Sequence, residues 1–317
     1  MLKLLVTRPM TAAATKAIAA SFDATFRDTN TPLTEAEAAA ALRDHDAVLP
    51  TLGDRFSAGA FSGRPRARIV ANFGAGYDHI DVNAAREAGL VVTNTPDVVT
   101  ESTADIAMML VLMAARRASE GERLLRAGRW SGWNPTQLLG THVSGKVLGI
   151  VGMGRIGRAI ARRAHHGFGM RVVFHNRSAV SSLDVPAQQL ASLEAVLAAA
   201  DIVVIAVPGG AGTRAMIGAA ELAQLGPQGY LVNIARGDVV DEDALILALR
   251  EGRIRGAGLD VYAREPDVPE ALRVLENVTL LPHLGTAAEE VRTAMALRAL
   301  DNLLAHFDGR PPPDRVA

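Results

Sequence analysis

Ten short runs rich in Val, Ile and Leu alternate with amphipathic stretches along this chain of 317 residues. No other feature constrains the fold as strongly. The runs are Lys3–Val6, Ala47–Pro50, Ile69–Phe73, Val91–Asn94, Val147–Val151, Arg171–His175, Ile202–Val207, Tyr230–Ile234, Gly256–Leu259 and Val278–Leu281. A helical pattern recurs between them, as at Thr34–Arg43, Val82–Ala88, Ile156–Ala164, Leu190–Ala199 and Asp241–Glu251. Strand and helix in alternation predict parallel sheets, because strands that run the same way need a crossover and helices supply it. Apolar residues at both parities of the runs predict strands buried on both faces.

The series runs twice. The first set ends at Val91–Pro96, and a helix predicted over Ser102–Ala118 follows it. That helix is hydrophobic nearly all round, which predicts burial between domains or at a subunit contact. Gly128–Thr136 reads as an extended loop, and a second series starts at Val147. The last helix, Ala287–Phe307, has no strand after it and is expected to return to the first domain. The tail Gly309–Pro313 reads as a loose end. The expected architecture is α/β, with two doubly wound parallel-sheet domains: residues 1–98 plus 285–317, and residues 99–284 inserted between them.

Composition removes several chemistries. There is no cysteine, so thiolate nucleophiles, disulfides and cysteine-ligated zinc are excluded, and no metal site is expected. Only Lys3, Lys16 and Lys146 are lysines, and none lies four positions after Tyr77, Tyr230 or Tyr262. The Tyr-x-x-x-Lys pair of short-chain dehydrogenases is therefore missing. A net charge of -1 leaves no basic surplus for nucleic acid or anionic lipid. Met1–Val6 reads as a strand rather than a signal peptide, and the apolar run Ile106–Ala115 is about half a bilayer span. A cytoplasmic protein with no membrane or nucleic-acid partner is expected.

The second series opens with Val147–Val151, then Gly152-Met153-Gly154-Arg155-Ile156-Gly157, then a helix. Gly152 suits a tight turn, Gly154 lets a pyrophosphate approach the backbone, and Gly157 lets the helix pack closely on the strand. The free N–H groups at the helix N-terminus favour the anion. The next strand ends in His175-Asn176-Arg177-Ser178, where NAD sites usually carry a carboxylate for the ribose 2′-hydroxyl. Arg177, assisted by Asn176 and Ser178, would instead attract a 2′-phosphate. The expected cofactor is NADP(H) in preference to NAD(H), which stays open as the alternative.

Three later segments place polar residues just past strand ends: Asn233-Ile234-Ala235-Arg236-Gly237, Asp260-Val261-Tyr262-Ala263-Arg264-Glu265-Pro266, and Pro282-His283-Leu284-Gly285-Thr286. Together with the glycine fingerprint they make the chain resemble the D-isomer-specific 2-hydroxyacid dehydrogenase family over essentially its whole length. The resemblance implies a Rossmann cofactor domain inserted into a flavodoxin-like substrate domain. It also implies reversible reduction of a 2-oxo acid to a D-2-hydroxy acid, with Arg236, Glu265 and His283 catalytic. Charge builds on the carbonyl oxygen in that reaction, so His283 would act as general acid, supported by Glu265, while Arg236 holds the substrate carboxylate.

The same resemblance places Thr103, Asp260, Pro208, Ala235 and Gly285 at the cofactor, and Gly74, Ala75 and Gly76 at the substrate. Gly74-Ala75-Gly76 after a strand also suits an anion by itself, since consecutive backbone N–H groups form a nest. Asp78 and Asp81 suit caps of the following helix better than chemistry. The loops Ala71–Asp78, His175–Ser178 and Val207–Gly210 are similar to those of glyoxylate/hydroxypyruvate reductases, in which a tryptophan matching Trp133 can reach the neighbouring subunit's active site. A role for Trp130 and Trp133 in packing a homodimer contact is the alternative. D-lactate, phenylpyruvate or 2-ketogluconate-type substrates stay open, as does a nucleotide-sensing binding protein of the corepressor type.

Overall fold

The computed structural model describes residues 1–317, which fall into two compact units: Met1–Val99 with Thr286–Ala317, and Thr100–Gly285. No helix is long and apolar enough to cross a membrane.

The first unit contains β1 (Lys3–Val6), α1 (Ala12–Ser21), β2 (Asp23–Phe26), α2 (Glu35–Asp44), β3 (Ala47–Leu49), β4 (Ile69–Ala71), α3 (Val82–Glu87) and β5 (Val91–Thr93). Its five strands are all parallel, in the order β2-β1-β3-β4-β5, the flavodoxin-like arrangement. Alternation along β1 sorts the core: Leu5 joins the cluster with Leu42, Val48 and Val70, while Leu4 and Val6 face Ile18, Leu49 and Ile69 on the other side.

The second unit contains α4 (Thr100–Ala115), α5 (Ala118–Arg126), β6 (Val147–Val151), α6 (Arg155–Phe168), β7 (Arg171–His175), β8 (Ala187–Gln189) and α7 (Leu193–Ala199). It continues through β9 (Ile202–Ile205), α8 (Ala219–Leu225), β10 (Tyr230–Asn233), α9 (Glu242–Arg250), β11 (Gly256–Leu259), α10 (Glu270–Arg273) and β12 (Val278–Leu280). The seven strands are parallel, in the order β12-β11-β10-β9-β6-β7-β8. The order reverses between β6 and β9, which creates a crevice at the carboxyl ends of those strands. Leu148 and Ile150 pack under α4 and α6, and Val147 and Val151 pack on the opposite face.

Several boundaries differ from expectation. The helix predicted as one piece over Ser102–Ala118 breaks at Arg117, which has φ 54° and starts α5. Its burial is one-sided: Ala104, Ala107, Leu110 and Val111 are buried, whereas Met109, Leu112 and Met113 border an open apolar groove with Phe168. The edge strands β2 and β8 carry polar residues and lack the apolar run that marks a central strand. The tail is not loose. After α11 (Glu289–Phe307), Arg315 bridges Thr93 antiparallel, and the Val92 N–H donates to the Ala317 carbonyl. Asp314 is buried beneath an ion pair with Arg298, which a count of prolines does not reveal.

Candidate active site

In the second unit the polar residues singled out from sequence gather at the carboxyl ends of the strands. Gly152 follows β6 at φ 100°, and a Cβ there would lie 2.7 Å from the Ala206 carbonyl beyond β9. Gly157 is tighter still: a Cβ would lie 2.2 Å from the Gly152 oxygen, so helix and turn touch through backbone. Above Gly154 there is open space, and as N-cap it supplies no side chain to the first turn of α6. Met153 packs inward, and its N–H donates to Asn176 Oδ1 at 3.3 Å. A turn shaped by backbone contact, open on one side and facing a helix start, fits a dinucleotide pyrophosphate.

The loop after β7 is braced from β8. Gln189 Nε2 donates to the carbonyls of Asn176 and Ser178, and Asn176 Nδ2 donates to the Ser178 carbonyl. Arg177 and Ser178 are exposed beside this brace, and no carboxylate stands in the segment. Pro208 is exposed beyond β9, and its carbonyl accepts from Thr213.

At the end of β10, buried Asn233 folds the turn: its Oδ1 accepts from the Ala235 N–H and its Nδ2 donates to the Arg236 carbonyl. Ala235 is buried, and its carbonyl accepts from Arg236 Nη1. A Cβ on Gly237 would lie 1.8 Å from the Tyr262 carbonyl carbon, so the Arg236 turn and the Glu265 loop pack backbone against backbone.

On that loop Glu265 uses both oxygens. Oε1 accepts from the Tyr262 N–H at 3.0 Å, and Oε2 lies 2.8 Å from His283 Nδ1. Burial pushes the Glu265 carboxyl up, but the His283 hydrogen bond and charge, the Tyr262 N–H and Arg236 outweigh it and hold the group below its ordinary value. The His283 ring therefore presents Nε2 away from its partner, on a side chain 32% exposed.

His283 sits at φ 54°, a left-handed conformation that a non-glycine residue keeps only when its surroundings enforce it. Asp260 supplies that enforcement. Its carbonyl accepts from the His283 N–H, its Oδ1 from the Leu284 N–H at 2.6 Å and its Oδ2 from the Gly285 N–H at 2.8 Å. Burial raises the Asp260 carboxyl above its ordinary value, against those two N–H groups and the charge of His283. Thr103 Oγ1 donates to the Gly285 carbonyl, so Thr103, Asp260 and Gly285 meet at one point. Tyr262 ties the strand ends together through its hydroxyl, which donates to the Leu281 carbonyl at 2.9 Å; burial raises its pKa.

In the first unit Gly74, Ala75 and Gly76 follow β4, half-buried. Asp81 caps α3 by accepting from the Asn83 and Ala84 N–H groups, as expected. Trp133 is 79% exposed in the loop before β6. Gln189 and the Tyr262 hydroxyl, which shape the turns around the charged residues, escape a reading by motif because their bonds run to backbone groups of other segments.

Residues 108–285 match the family model described as D-isomer specific 2-hydroxyacid dehydrogenase, NAD binding domain. The glyoxylate reductases of Thermococcus gammatolerans and Pyrococcus furiosus are each 46% identical to the chain over 280 residues, 87% of its length, and the match spans 84% and 83% of those proteins. Among solved structures, the NADPH-dependent glyoxylate/hydroxypyruvate reductase of Sinorhizobium meliloti, in complex with NADP and malonate, superposes with a TM-score of 0.89 at 37% identity. That match covers all of this chain and 97% of the other. The chain belongs to the D-isomer specific 2-hydroxyacid dehydrogenase family and is an NAD(P)-dependent oxidoreductase.

Proposed function

We propose that the protein reduces a small 2-oxo acid of the glyoxylate or hydroxypyruvate type to the D-2-hydroxy acid, with NADPH preferred over NADH. The observation that carries this is the His283–Glu265 pair at 2.8 Å, with the Arg236 turn packed on the same loop. Glyoxylate reductases at 46% identity support the substrate class.

The residues divide the work. The turn Gly152–Gly157 and the start of α6 hold the pyrophosphate, and Thr103, Pro208, Ala235, Asp260 and Gly285 line the rest of the dinucleotide site. Arg177, with Ser178, takes the 2′-phosphate, since a guanidinium favours a doubly charged group and nothing nearby on that loop repels it. When bound, the dinucleotide supplies the hydride for the 2-oxo carbon. Arg236 binds the substrate carboxylate and polarises the carbonyl. His283 Nε2 gives its proton to the carbonyl oxygen, and ionised Glu265 stabilises the imidazolium that must be ready to give it. The amides of the Gly74–Gly76 turn bind the substrate as an anion nest. The groove beside Met109, Leu112, Met113 and Phe168, together with exposed Trp130 and Trp133, suits a homodimer contact, with Trp133 reaching the partner.

Initial rates with glyoxylate, hydroxypyruvate, pyruvate and phenylpyruvate, each with NADPH and NADH, test the proposal. The highest kcat/KM is expected for the first two with NADPH. A clear preference for phenylpyruvate would overturn the substrate class, and a preference for NADH would overturn the role of Arg177.

A further inference from the structure

The turn Gly74-Ala75-Gly76 is held by side chains that no motif assigns. Asn72, at the end of β4, is fully buried, and its Nδ2 donates to the Gly74 carbonyl and to the Gly76 carbonyl, both at 3.0 Å. Asn94, just past β5, donates from Nδ2 to the Ala75 carbonyl at 2.8 Å. The Thr95 N–H adds a second bond to the Gly74 carbonyl. Three successive carbonyls are thus pinned on one side, while the N–H groups of Ala75 and Gly76 donate to nothing in the unit. The surroundings also decide which way the Asn72 amide faces. Only a donor can meet two carbonyls, so Oδ1 turns the other way, where it is buried without a partner. An orphaned acceptor is costly, and it persists here because both donors stay on the turn.

The strut at Asn94 is anchored in turn by the returning C-terminal segment. The Asn94 N–H donates to the Asp314 carbonyl, and buried Asn302 on α11 donates to the Asn94 carbonyl at 3.4 Å. Asn302 also donates to Asp314 Oδ2, and Arg298 pairs with both oxygens of that carboxylate.

We infer that Asn72 and Asn94 are positioning residues for the 2-oxo acid: by holding the carbonyls of residues 74–76 back, they aim the amides of Ala75 and Gly76 at its carboxylate. This rests on the proposal that the turn binds the substrate. The physical gain is preorganisation. Amides already turned toward an anion lose no backbone freedom when it binds, whereas an untethered glycine turn samples many orientations. Neither asparagine touches the reacting atoms, so their removal weakens substrate capture more than the chemical step.

The test measures KM for glyoxylate, KM for NADPH and kcat in Asn72→Ala, Asn94→Ala and Ala75→Pro, with melting temperature and circular dichroism as checks on folding. Losing one such bond corresponds to about a three- to tenfold rise in glyoxylate KM for Asn94→Ala, and losing two to about ten- to fiftyfold for Asn72→Ala. KM for NADPH stays within about twofold, a split that a general loss of folding does not produce. Oxalate, as a competitor of the oxo acid, is expected to weaken in parallel. Should buried Asn72→Ala not fold, the half-exposed Asn94 carries the test alone. Unchanged glyoxylate KM in folded variants, or an equal rise for glyoxylate and NADPH, overturns the inference. Ala75→Pro deletes an amide of the nest directly and separates the two levels. If it raises glyoxylate KM while the asparagine variants do not, only the struts are refuted. If it too leaves KM unchanged, the turn does not bind the substrate.

Discussion

Gly152-Met153-Gly154 and Gly74-Ala75-Gly76 both follow a parallel strand, but they are built on different supports. The first opens directly into α6, fourteen residues long, so the helix dipole and the first-turn N–H groups reinforce the anion site. Its glycines are demanded by backbone contacts of 2.7 and 2.2 Å. The second turn is followed by α3 only at Val82, after Asp81 has capped that helix, so no helix start reinforces it. Side-chain amides do that work, and a Cβ on Gly74 would meet its neighbours at an ordinary 3.4 Å. In the function proposed above, a pyrophosphate, which carries more charge, goes to the turn with the field, and a single carboxylate goes to the turn with fixed geometry. The charged residues proposed for the chemistry, Arg236, Glu265 and His283, follow β10, β11 and β12 in the second unit.

Five changes would break or sharpen this contrast. His283→Ala should lower kcat by about 10²–10⁴ with NADPH affinity nearly intact; retained turnover at neutral pH would remove His283 as the acid. Arg177→Asp should raise KM for NADPH roughly ten- to a hundredfold, as expected for a lost charge-assisted bond, and KM for NADH far less. Equal changes for the two cofactors would contradict a 2′-phosphate contact.

Gly157→Ala and Gly74→Ala form a pair. The first forces a Cβ onto the Gly152 oxygen and should cost about 1–3 kcal/mol and weaken NADPH binding. The second should leave both melting temperature and NADPH binding nearly unchanged, and a comparable destabilisation would refute the difference in support. The smallest effect concerns pH. Glu265 is held below its ordinary value when folded, so its contribution to stability is full above about pH 5 and is lost as pH falls through the folded value. The melting-temperature advantage of the native chain over Glu265→Gln should therefore shrink on acidification; an advantage that is constant between neutral and acid pH would argue against the pairing.

Much of the site was legible in the chain. Gly152, Gly154 and Gly157 announce themselves because only glycine satisfies a positive φ, an open approach and a backbone contact at that spacing after a strand. Central strands such as β6 and β9 were visible because burial on both faces favours runs of Val, Ile and Leu. The edge strands β2 and β8 were not, since an edge has one neighbour and tolerates Asp23, Gln188 and Gln189. Nor was the break at Arg117, where an apolar pattern runs on through a left-handed residue.

The residue types proposed for the chemistry, and the parallel sheets that carry them, are determined locally: hydrophobic periodicity, glycine spacing and polar residues at strand ends. Tertiary structure decided what holds those residues in place. Asn72 and Asn94 look like ordinary turn residues until β4 and β5 lie side by side and place both amides under one turn. The hold of Asp260 on the His283 turn shows only when the β12 end brings the Leu284 and Gly285 N–H groups to its oxygens. The C-terminal tail looks loose until Asp314 meets Arg298, Asn302 and the backbone of Asn94. Apart from those of Asn72, these bonds join segments distant along the chain, and a hydrogen bond depends on position within a few tenths of an ångström, which spacing along a sequence does not specify.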